Sequence, residues 1–78
     1  MKTSNNDLIE LGARIRIARK SLGFSQESLA DLANLDRSYM GGVERGERNI
    51  SFLILSQVAT ALRVDIASLT KGLPEIKK

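Results

Sequence analysis

The 78-residue sequence predicts an all-α fold of five short helices. Three observations carry that expectation. Apolar residues recur at spacings of three and four along most of the chain, as the buried stripe of an α-helix requires. Residues suited to helix starts (Ser25, Asp36, Ser51, Asp65) precede these stripes, and residues that end helices (Gly23, Gly46, Gly72, Pro74) follow them. No segment alternates with period two, so no strand is expected.

The first helix carries Leu8, Leu11, Ile15, Ala18 and Leu22 on one stripe. Ser4 and Asp7 are spaced as a capping box at its start, and Gly23 ends it. Arg14, Arg16, Arg19 and Lys20 fall to the other side, where the ordinary reading is a solvated surface. Ser25 caps a second helix of about two turns, Gln26 to Ala33, with Glu27 in the first turn where the helix dipole favours a carboxylate. Asn34 and Leu35 interrupt the pattern. Asp36 then caps a third helix running from Arg37 to about Arg45, and Gly46 suits its C′ position. Ser51 caps a fourth, whose stripe is Phe52, Leu55, Val58, Ala59 and Leu62; Leu53 and Ile54 fall off it. Asp65 caps a fifth that carries Ile66 and Leu69 and ends near Gly72, ahead of Pro74, which cannot continue a helix. Lys77 and Lys78 close an expected loose tail, so one domain spans 1–78 with its ordered core at about 7–73.

Composition excludes more than it identifies. Hydrophobic residues make up 42% of the chain, an ordinary globular fraction. A chain this short buries only about 60–65% of its unfolded surface, which leaves a thin margin of stability. Cysteine is absent, which rules out disulfides and thiolate metal sites. Histidine is absent too, removing the commonest metal ligand and general base. The carboxylates are dispersed over helix starts, with no glycine-rich phosphate loop, so no enzyme, metal, cofactor or small-molecule ligand is expected. No stretch approaches the roughly 18 apolar residues of a membrane span, and the polar start precedes no signal-peptide core, so a cytoplasmic protein is expected. The net charge is +3 and the pI about 9.7, which permits a polyanionic partner without demanding one. Its distribution resists a purely electrostatic account. Residues 25–50 hold 3 basic and 5 acidic side chains.

Two short helices joined by a tight turn, the second polar at its start, make a helix-turn-helix pattern. The first must pack on the body through small and branched residues; Ala30 permits close approach, while Leu29, Leu35 and Val43 fit the inner side. The second must present hydrogen-bonding groups at its N-terminal end, which enters the major groove. Arg37 and Ser38 stand there. Arginine can fork onto guanine O6 and N7, and serine can serve several bases.

The runs Gly23-Phe24-Ser25-Gln26-Glu27-Ser28-Leu29-Ala30, Leu35-Asp36-Arg37-Ser38-Tyr39 and Glu44-Arg45-Gly46-Glu47-Arg48-Asn49 resemble the helix-turn-helix family of lambdoid phage repressors and Cro. Within it the chain is most similar to the controller proteins of restriction–modification systems. The resemblance covers about residues 8–73. It implies that Arg37, Ser38 and Tyr39 contact bases, and that Ser25, Gln26, Arg45, Arg48 and Asn49 contact backbone or groove edges. It implies an ion pair between Arg19 and Glu44, which makes Glu44 structural rather than DNA-facing. It also implies that Glu27 and Asp31, four apart on one exposed face, could touch RNA polymerase, beside the alternative of a solubilising pair. Gly42 stands where some phage repressors place a base-reading glutamine. Gly41 and Gly42 each cost the helix about 1 kcal/mol against alanine. Close approach to DNA, close approach to a helix, and tolerated weakening all remain open for them.

One such unit makes few base contacts, so a twofold dimer on a pseudo-palindromic operator is expected, its half-sites about one helical turn apart. Leu53, Ile54, Ile66 and Leu69 are the expected dimer surface, with Leu73 beside them. The expected function is a transcriptional regulator of the nucleoid that acts on its own promoter. An antitoxin or phage-type repressor on the same fold, and a protein-interaction module without DNA binding, are the alternatives.

Overall fold

A computed structural model describes residues 6–76; the expected Ser4 cap and the Lys77–Lys78 tail lie outside them. The helices are α1 Asn6–Ser21, α2 Gln26–Ala33, α3 Arg37–Glu44, α4 Phe52–Leu62 and α5 Ile66–Thr70, and the described residues contain no strand. None of these helices is long and apolar enough to cross a membrane.

The caps explain why each helix begins and ends where it does. Ser25, Asp36, Ser51 and Asp65 all hold extended backbone and accept a hydrogen bond from the first turn that follows. At the other ends Asn34 and Arg63 turn left-handed with φ of 59° and 61°, as does Gly46 at 76°. Around them Leu35 N–H donates to Ala30 O, Val64 N–H to Ala59 O, and Glu47 N–H to Gly42 O, closing the terminal carbonyls. Two ends also receive side chains from elsewhere. Gln57 Nε2 donates to Ala33 O at 2.8 Å, and Arg14 Nη1 donates to Leu69 O and Lys71 O at 3.2 and 2.7 Å. Arg14 is therefore a clasp between α1 and the end of α5, not a solvated surface cation.

The core gathers one stripe from every helix: Leu11 and Ile15, Leu29, Ala30 and Ala33, Met40 and Val43, Leu55, Val58, Ala59 and Leu62, and Leu69. Helix α2 packs on α3 and α4, while α1 packs on α3 and α5. Two apolar positions depart from the expected stripes. Leu22 follows the last residue of α1, its N–H still donating to Ala18 O, and is 44% exposed. Phe52 is the first residue of α4 and is 74% exposed. On α1 the buried face also includes Gly12 and Arg19, beside Leu11 and Ile15.

Gly12 governs how close α1 comes to α3. A Cβ built there would lie 2.4 Å from Val43 O and 2.5 Å from Glu44 O, so only glycine admits this backbone contact. Gly46 is constrained twice, by its positive φ and by Ile9, whose Cα would sit 2.6 Å from a Cβ. These two glycines bring the end of α3 against α1.

Candidate nucleic-acid interface

The start of α2 is built by a reciprocal pair of serines. Ser28 N–H donates to Ser25 Oγ at 3.0 Å, and Ser25 N–H donates to Ser28 Oγ at 2.9 Å. The next residue, Gln26, is half-buried and donates from Nε2 to Glu44 Oε1 at 3.0 Å. Glu44 is thereby linked to both flanking helices. Arg19 Nε reaches Glu44 Oε2 at 2.7 Å and Arg19 Nη2 reaches Oε1 at 3.1 Å, a two-point fork. The third guanidinium nitrogen, Arg19 Nη1, donates to Phe24 O at 2.9 Å. The side chains of this pair are 9% and 3% exposed. The network ties α1, the α1–α2 turn, the head of α2 and the end of α3 into one unit.

At the start of α3 the Asp36 carboxylate accepts from Ser38 N–H at 3.0 Å, from Tyr39 N–H at 3.3 Å, and from the Ser38 hydroxyl. The Ser38 hydroxyl bond, with the two backbone donors behind it, holds the Asp36 carboxyl below its ordinary value of 3.8. The cap thus stays ionised near neutral pH, and it fixes the frame from which Arg37 and Ser38 project, both exposed. Tyr39 is half-buried, and Arg48 lies over its ring with Cζ 5.5 Å from the centroid. Arg45 is exposed and pairs with Glu47 at 3.1 Å. Asn49 is exposed in the same loop.

Arg37 and Ser38 are thus exposed at the start of α3, and Arg48, from the loop after it, lies over Tyr39 in the helix's first turn. Gln26 stands at the head of α2, tied to the end of α3 through Glu44. Ser25 is exposed, though its hydroxyl is engaged within the cap. Glu27 and Asp31 are exposed along α2. The apolar set expected for a dimer divides. Leu53 is 69% exposed and Ile54 partly so, Ile66 packs against the core, and Leu69, at 3% exposure, is inside it. Leu69 is a correction to the sequence reading. It is part of the buried core of a single chain, on a helix that packs against α1 and α4, so it is not on the surface offered to a second copy.

Sequence reasoning passed over Gly12 and Met40, the latter fully buried. Glycine in the middle of a helix is itself a signal, since it costs about 1 kcal/mol unless something needs the space.

A helix-turn-helix family profile matches residues 15–69. The chain is 39% identical over 59 residues to the control protein C.SmaI of Serratia marcescens, covering 76% of this chain and 70% of that one. Its fold superposes on the restriction–modification controller protein C.AhdI of Aeromonas hydrophila with a TM-score of 0.81. There the identity is 50%, over 82% of this chain and 97% of the other. A further match, at 31% identity and a TM-score of 0.75 over 87% of each chain, is the controller protein C.Esp1396I. It was solved as a tetramer in complex with its natural 35-base-pair operator.

Proposed function

Because the chain belongs to the helix-turn-helix family, matched over residues 15–69, we propose that it is a sequence-specific DNA-binding transcriptional regulator of the restriction–modification controller type. The observation that carries this reading is the projection of Arg37 and Ser38 from the capped N-terminal end of α3. That end is where a recognition helix meets base edges. Arg37 forks onto a guanine, Ser38 and Tyr39 read beside it, and Gln26, Arg45, Arg48 and Asn49 position the backbone. The Arg19–Glu44 brace holds the two helices at the angle the groove requires. The protein acts as a homodimer on two half-sites in the bacterial cytoplasm, and as a regulator rather than an enzyme.

Footprinting on the DNA upstream of its own coding region tests this. Two protected half-sites centred about 34 Å apart are expected, and uniform or absent protection contradicts the reading. The exposed acids Glu27 and Asp31 on α2 would be repelled by phosphate, and they fit a contact with RNA polymerase instead. Glu27→Lys then removes activation at the footprinted promoter while operator affinity holds. Equal loss of both rejects that contact.

A further inference from the structure

The two glycines in the middle of α3 face side chains rather than the backbone of a neighbouring helix. A Cβ built at Gly42 would lie 3.0 Å from Arg48 Cγ and 3.1 Å from Arg48 Nε. At Gly41 it would lie 3.1 Å from Arg45 Nη1 and 3.4 Å from Gln26 Oε1, both at the far ends of flexible side chains. The Gly42 contact is different in kind, because it falls on the stem that decides where the Arg48 head goes. That head lies over Tyr39, with Cζ 5.5 Å from the ring centroid, a cation–π approach. Tyr39 and Gly42 are three residues apart, hence on one face of α3 and one turn from each other.

An arginine from the following loop is thus anchored twice against this helix, its stem over a missing methyl and its guanidinium over an aromatic ring. A side chain held in this way has already lost much of the rotamer freedom that ligand contact would otherwise take from it. Building on the DNA reading of α3, we infer that Gly42 is a positioning residue for Arg48. Its lack of a side chain lets the Arg48 stem lie flat on α3 and seats the guanidinium over Tyr39, ready for nucleic acid. Glycine stands here in place of a reading side chain because the reading group arrives from the loop. A cation–π contact leaves the guanidinium N–H donors for a base edge or a phosphate oxygen.

The test is a double-variant cycle with Gly42→Ala, Arg48→Ala and both together. Each is titrated against a duplex that the unaltered protein has selected from a randomised library, and each is also melted. Alanine favours helix over glycine, so Gly42→Ala is expected to melt no lower than the unaltered protein. Its affinity for the selected duplex nevertheless falls, by roughly fivefold, a part of what one arginine contact contributes. In the Arg48→Ala background the same substitution leaves affinity unchanged, since no guanidinium remains to be displaced. With that pattern in hand, a salt slope reduced by about 1 identifies a phosphate contact, and an unchanged slope with weaker discrimination identifies a base edge. Undiminished affinity of Gly42→Ala overturns the inference. So does an equal loss in both backgrounds, which is what a folding defect or a direct clash with DNA produces. Failure of the unaltered protein to select any duplex contradicts the DNA reading itself, before a variant is made.

Discussion

Glu44 accepts two hydrogen bonds from Arg19 and one from Gln26 while its side chain is 3% exposed. Removing it leaves a buried guanidinium without its countercharge, which costs on the order of 3–5 kcal/mol. In a domain of this size each kcal/mol moves the melting temperature by about 4–8 °C. Glu44→Ala is therefore expected to melt more than about 10 °C lower, and a shift below about 2 °C contradicts a bracing role. This pair also marks the limit of spacing arguments. Arg19 and Glu44 are 25 positions apart, and although Arg19 lies one turn beyond Ile15, at the edge of the apolar stripe, that spacing says nothing of its partner. Only the resemblance to phage repressors suggests the pair, because nothing local in the sequence records which distant carboxylate a buried arginine meets.

At the scale of elements, legibility follows the range of the forces involved. Every cap residue expected from the sequence holds a cap within the described residues, because capping is chemistry between neighbours. Burial is decided by other helices, and there the reading slips at the ends of stripes. Phe52 and Leu22 have the right spacing but stay exposed, and Leu69, expected on the surface, is buried in the core. The mid-α3 glycines are visible as weak helix formers, yet the side chains that lie against them, Arg45, Gln26 and Arg48, are ones spacing cannot locate. The start of α4 carries the sharpest consequence. Phe52 and Leu53 are 74% and 69% exposed side by side, and Leu53 belongs to the proposed dimer surface. Leu53→Glu places a charge on that surface without touching the core. It is expected to convert a sedimenting dimer to monomer at about tens of micromolar protein, where dimerisation contributes to stability by mass action. An unchanged sedimentation coefficient removes Leu53 from the interface.

At the scale of the whole molecule, the charge pattern no longer opposes nucleic acid. Residues 25–50 hold 5 acids against 3 bases. Yet Glu44 is paired inside the protein, Asp36 is engaged in the α3 cap, and Glu47 pairs with Arg45. Glu27 and Asp31 remain exposed, on α2. Local placement, not net charge, decides what the surface can bind. The brace, the caps and the close α1–α3 approach at Gly12 all converge on the orientation of α3, whose exposed start is the part of the molecule assigned to base reading. The most direct measurement is therefore the ratio of affinities for a selected and a scrambled duplex, compared between the unaltered protein and Arg37→Ala. Loss of one bidentate base contact worth about 1–3 kcal/mol should lower that ratio by roughly five- to a hundredfold while scrambled-duplex binding changes little. An undiminished ratio in Arg37→Ala would contradict base reading by α3.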